Sequence, residues 1–184
     1  MSDDGTQSQL NSRFNQGSTA SSAVLPTPSL KLDFRMSVKL NPLISVGKTV
    51  WGQRNWISFS SGEWSALWGR GTVVQGGQDN QLVTEELSTF LETNYLLKTD
   101  DTDPAYITVK TTGWRTGDKE TLQKLLDPQL ANEVSPHDYK FRLYVRMESG
   151  DARYSFVNTS MWIASAARYG SEGKLFAQSQ SLWY

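Results

Sequence analysis

The sequence predicts an all-β protein: a closed antiparallel barrel of about eight strands with one short helix. Three observations carry this. Apolar and polar residues alternate with period two over long runs, as half-buried strands require. Clusters of Gly, Pro, Asn and Asp punctuate those runs at hairpin spacing. One segment, after Gly117, spaces its leucines as a helix does. Long strands paired in near-sequential order favour closure over a sandwich, because a barrel leaves no edge exposed and at this size can hold a small ligand.

The elements follow in order. Residues 1–28 are rich in Ser, Gln, Asn, Gly and Thr, with too little apolar surface to offset the entropy of ordering, and predict a disordered tail. Residues 29–184 form the single predicted domain. Leu30 to Leu40 alternates cleanly, with Leu30, Leu32, Phe34, Met36, Val38 and Leu40 on one face. Asn41-Pro42 ends that strand, and Leu43 to Val46 reads as a second short one or as its continuation past a bulge. Gln53 to Ser60 mixes polar and apolar residues on both faces, which suits a wall lining a polar interior, and Ser61-Gly62 predicts a turn. In Gly71 to Val83 a β-branched run enters Gly76-Gly77, then Asp79. Paired glycines mark a bend, a bulge or a close backbone approach. Such a bend either turns Asp79 into the interior or leaves it capping a tight turn.

Thr84 to Leu91 predicts one or two helical turns and Thr93 to Thr99 a strand. Asp100 to Pro104 reads as a turn, and Ala105 to Thr112 as the returning strand. Asp118 is the predicted N-cap of the helix carrying Leu122, Leu125 and Leu126, which Pro128 closes. Tyr139 to Glu148, Arg153 to Ala166 and Lys174 to Trp183 complete the strands, with turns at Ser149–Asp151 and at Tyr169–Gly173.

Composition excludes several chemistries. A formal net charge of −1 gives no pull toward nucleic acid or an anionic membrane. With no cysteine and one histidine, His137, thiol nucleophiles and multi-histidine zinc sites are absent. No apolar run approaches the ~20 residues that span a bilayer, and no basic-then-apolar leader opens the chain, so a cytoplasmic protein is expected. No phosphate-binding glycine loop, nucleophile elbow or metal constellation is visible, and no cofactor is expected.

Four stretches carry a family resemblance. They are Gly52-Gln53-Arg54, the Gly71–Val83 segment, the Thr93–Asp101 hairpin, and Phe141-Arg142 together with Glu148 to Asn158. In this order and spacing they resemble the family called domain of unknown function 3237, over about Leu30 to Tyr184. The chain departs from it at Asn80, at the inserted Thr102-Asp103-Pro104, and at Phe156-Val157. The resemblance implies a calycin-like barrel. Because some fungal members serve secondary-metabolite pathways, it also implies a cofactor-free cyclase steering ring closure of a polyketide-like precursor.

The residues that such chemistry would use are Asp79 as base, Arg54 or Arg142 for a developing oxyanion, and Tyr95 to return a proton. Trp56, Phe156 and Trp162 would hold a flat substrate, with Tyr144, Glu148 and Asn158 beside them. Each has a structural reading too: an Arg54–Asp79 bridge, packing for Tyr144 and the tryptophans, and turn stabilisation for Glu148 and Asn158. Two functions follow. One is a cofactor-independent cyclase or isomerase acting on a hydrophobic aromatic molecule; the other is a barrel that only binds or carries one. A symmetric homo-oligomer is expected in either case.

Overall fold

The computed structural model describes residues 4–169 and the backbone of 174–183. Among them one antiparallel sheet contains β1 (Ser29–Leu40), β2 (Ile44–Thr49), β3 (Gly52–Ala66), β4 (Gly69–Val73), β5 (Gln78–Val83), β6 (Thr89–Thr99), β7 (Tyr106–Thr116), β8 (Lys140–Glu148), β9 (Trp162–Tyr169) and β10 (Lys174–Trp183). β1 pairs with both β10 and β3, and this closes the sheet. Around the barrel run β1, β10, β9, β8, β7 and β6, then β4 and β5 end to end as one stave, then β3. β2 pairs with β3 alone, at one end of the sheet order.

The shared stave explains the glycine pair. Val73 opposes Leu97 and Gln78 opposes Asn94, so five steps along this stave match three along β6. Gly76 takes up the bulge with φ +104°, and Gly77 lies where a Cβ would come within 2.5 Å of the Asn94 carbonyl. The chain re-enters the sheet with Asp79 facing inward.

Several expectations are corrected. Ser61-Gly62 is no turn: β3 runs straight through it, because Gly62 lets β1 approach so closely that a Cβ would meet the Ser37 carbonyl at 2.5 Å. Thr84 to Leu91 holds no helix. A short turn from Thr84 to Ser88 leads directly into β6, with Leu87 at φ +62°. Arg153 to Ala166 is not one strand either: Ala152–Asn158 is a 3-10 helix and β9 starts at Trp162. Leu30 and Leu32 are half-exposed, because β1 meets β3 only from Phe34 onward. The 1–28 segment carries two short helices, α1 (Asp4–Asn11) and α2 (Thr19–Ser22). Of the turn expected at Tyr169–Gly173, Gly170 to Gly173 fall outside the described residues.

The ends of the barrel differ. At one, α3 (Lys119–Leu126) starts where the Asp118 carboxylate accepts from the Thr121 amide at 2.9 Å. It buries Leu122 and Leu125, each stabilising by about 2 kcal/mol. At the other, Trp68 is surrounded by Phe34, Trp64, Tyr154, Phe156 and Trp162, with ring centroids 5.1–6.4 Å away. Tyr154 donates to Asp101 at 2.6 Å, and Arg153 forks onto Asp151 while reaching the Asp103 carbonyl at 2.8 Å. These bonds pin the 3-10 helix to the β6–β7 turn.

Close strand approach makes one substitution decisive. A Cβ on Gly113 would lie 2.1 Å from the Arg142 carbonyl of β8. Gly113→Ala should lose about 3 kcal/mol in urea unfolding with an unchanged slope. Gly150→Ala, whose Cβ would meet nothing within 4 Å, should be neutral.

Candidate functional site

Strand alternation decides which side chains enter the barrel. On β5, β6 and β7 the odd-numbered residues point in, so successive rows can be read around the wall. One row holds Ile57, Asp79, Thr93, Thr111, Val145 and Trp162. The next holds Asn55, Gln81, Leu91, Gly113, Leu143 and Ala164, and a third brings Val83, Thr89, Arg115 and Phe141 together. The largely apolar core thus contains a polar group formed by Asp79, Gln81, Thr93, Tyr95, Thr111, Thr89 and Arg115, with Asn55 in the Gln81 row.

Asp79 is its centre. The residue is 2% exposed. Its Oδ2 accepts from Gln81 Nε2 at 2.6 Å, while Oδ1 has no hydrogen-bond partner among the described residues. Burial raises its pKa to about 6, against the opposing pull of the Gln81 hydrogen bond and of Arg115. Tyr95 stacks on Phe59 with centroids 4.7 Å apart. Burial pushes its phenol well above the ordinary range, Thr93 and Thr111 act against that shift, and the charge of Asp79 adds to it. Tyr95 therefore keeps its proton at neutral pH. Thr93 and Thr111 hydrogen-bond to each other across β6 and β7.

Arg115 is 4% exposed and donates to Thr89 Oγ1 at 3.0 Å, while its Nε has no partner among the described residues. Burial, reinforced by Arg168, lowers its pKa to about 10, with Tyr139 and Asp79 opposing. Trp162 Nε1 is likewise buried without an acceptor.

Of the residues that the sequence singles out, Asp79, Tyr95 and Trp162 lie inside. Arg54 and Trp56 alternate with the inward Asn55 and Ile57 and so face outward. Arg54 donates to Asn80 Oδ1 at 3.3 Å, and Trp56 is partly exposed. On β8, Phe141, Leu143, Val145 and Met147 point in, so Arg142, Tyr144 and Glu148 point out. Arg142 donates to the Phe141 carbonyl, Tyr144 is 74% exposed, and Glu148 lies 3.8 Å from Arg146. Phe156 sits half-exposed against Trp68. Asn158 clasps the backbone of Ser149 with bonds of 2.8 and 3.0 Å. The structure therefore does not bring Arg54 or Arg142 to Asp79; the interior guanidinium is that of Arg115.

Sequence reasoning missed Gln81, Thr89, Thr111 and Arg115. The signal was parity. Ile107 and Val109 share an odd-numbered face that continues through Thr111 and Gly113 to Arg115, but ending the strand at Thr112 hid its last member.

Among the described residues no helix is long and apolar enough to cross a membrane. The model of the family described as protein of unknown function (DUF3237) matches residues 28–180. A UPF0311 protein of Rhodopseudomonas palustris is 31% identical over 144 residues, covering 78% of this chain and 91% of its own. A β-barrel-like protein from Acinetobacter baumannii has a TM-score of 0.73 at 28% identity, over 87% of this chain and 99% of its own. An enzyme from Penicillium herquei shares the fold, with a TM-score of 0.60 at 16% identity over 85% and 98% of the two chains. This β-barrel chain therefore belongs to the DUF3237 family of proteins of unknown function.

Proposed function

We propose that the protein is a cofactor-independent cyclase or isomerase of the kind used in secondary metabolism, acting on a flat, hydrophobic phenol that carries an alkene. The observation that carries this reading is the Asp79 carboxylate, held dry inside the barrel with one oxygen uncommitted. A carboxylate whose pKa is raised toward neutrality by burial is suited to taking and returning a proton near pH 7. In the proposed reaction Asp79 Oδ1 takes the phenolic proton as the phenol oxygen adds to one alkene carbon. Tyr95 gives its proton to the other carbon and is reprotonated by Asp79. The O–H bond and the alkene π bond break, one C–O and one C–H bond form, and no redox partner is consumed. The existence of an enzyme with this fold supports the reading as an analogy of architecture alone.

Burial of Asp79 also sets a stability signature. The folded pKa, about 6, lies above the unfolded value of 3.8, so the folded state holds its proton more tightly. Between about pH 4 and 6 the unfolded chain ionises first, and folding stability falls as pH rises through that window. The full penalty, about 3 kcal/mol, is present above pH 6. Asp79→Asn should therefore be more stable than the native protein at pH 8 by up to that amount, with the gap closing at pH 4, as measured by urea unfolding at both values.

Activity is tested with 2-prenylphenols in the absence of added cofactor, following rate and product chirality. The native protein should give one enantiomer, with a rate that rises as pH passes through 6 and then levels. Asp79→Asn should turn over at least about 100-fold more slowly with substrate affinity within threefold. A racemic product formed at the buffer rate, with the phenol still bound, would assign the barrel to carrying instead.

A further inference from the structure

Arg115 is the interior charge that the reaction above leaves without a task. It lies one row beyond Gln81 and four residues along the wall from the level of Asp79, a rise of about 13 Å. A buried guanidinium is costly unless its donors are met, yet here Thr89 Oγ1 meets one Nη, and Nε has no partner among the described residues. Among the described residues no carboxylate stands within ion-pair distance of it. The charged and titratable groups acting on it are Arg168 of β9, Tyr139 ahead of β8 and Asp79 of β5. Arg115 and Arg168 thus share a region in which Asp79 acts on the first and Asp127 on the second.

The obvious structural partner, Asp79, is not bonded to it. Asp79 Oδ2 is taken by Gln81, and among the described residues Oδ1 has no donor and Arg115 Nε no acceptor. In the row between, Gly113 and Ala164 carry little or no side chain, beside the buried Asn55, Gln81, Leu91 and Leu143. An acceptor and a cationic donor that face one interior without meeting are complementary to a molecule with a hydroxyl at one end and a charge-accepting oxygen at the other.

We propose that Arg115 is the anion-binding residue of this barrel and that the site takes a vinylogous acid, a hydroxyl conjugated through a flat π system to a second oxygen. This rests on the proton-transfer reading of the same site and narrows its substrate class. Asp79 Oδ1 accepts the hydroxyl proton, and the negative charge delocalises to the far oxygen, where the guanidinium holds it. Trp162 and Tyr95 supply aromatic faces within the same interior.

The probe is 4-nitrophenol, a vinylogous acid whose anion absorbs at longer wavelength than the neutral form. Bound to the native protein, it should keep its anion band at least one pH unit below its titration in buffer, a tenfold stabilisation of the anion. Arg115→Gln should abolish that displacement, Arg115→Lys should restore part of it, and Asp79→Asn should retain or enlarge it by removing the competing negative charge. Circular dichroism of each variant establishes folding, and Arg115→Lys carries the comparison if Arg115→Gln does not fold. An Arg115→Gln or Arg115→Lys protein that displaces the titration as far as the native one overturns the proposal, as does a native protein that leaves the titration unmoved. The two readings fail separately. Loss of the band in Arg115→Gln alongside undiminished ring closure in Asp79→Asn removes the base and keeps the anion site; the reverse pair keeps the base and removes the anion site.

Discussion

A carboxylate excluded from water is the constraint on which the rest of this structure turns. Asp79 is deeply buried, with one hydrogen bond from Gln81 and with Arg115 acting at longer range. Around it the wall is arranged to tolerate charge. Thr93 and Thr111 satisfy each other, Tyr95 stays protonated, and Gln81 is itself held on the interior face of β5. A barrel that needed only a packed core would place leucine or valine at these positions, as it does at Leu91, Leu97, Val109 and Leu143. Polar groups gathered in this part of a largely apolar interior are the basis of the proposed chemistry.

That sector depends on features far from it. The bulge at Gly76 and Gly77 brings β5 back into register so that Asp79 points inward. Closure through the β1–β3 pairing makes the interior dry, and it uses the absence of a side chain at Gly62. Leu122 and Leu125 of α3 are buried at one end, and the rings around Trp68 fill the other. Each device limits water near Asp79, and burial is what raises its proton affinity.

Much of this was legible in the sequence, wherever a local rule and the tertiary structure agree. The alternation from Phe34 to Val38 and from Phe141 to Met147, the Asp118 cap, and the bend at the paired glycines all follow from residue chemistry. Asp79 was singled out because an acid just past such a bend can leave the solvated face. The failures share one cause: distant neighbours overrode local signals. Ser61-Gly62 resembles a turn until β1 packs onto it, and Thr89 to Leu91 resembles a helix until β5 and β7 pair on either side. Charge alone points to Arg54 and Arg142, whereas position within the alternation sends both outward and brings Arg115 in. Reading parity to the last residue of β7 would have found it.

The central claim is that the Asp79 carboxylate lies in a dry interior that holds its proton to near neutrality. Titrating its side-chain carboxyl carbon by NMR in the folded protein tests this most directly, with Asp79→Asn used to assign the signal. The account predicts a midpoint close to pH 6. A midpoint at or below 4, the value of a carboxylate in water, would contradict it.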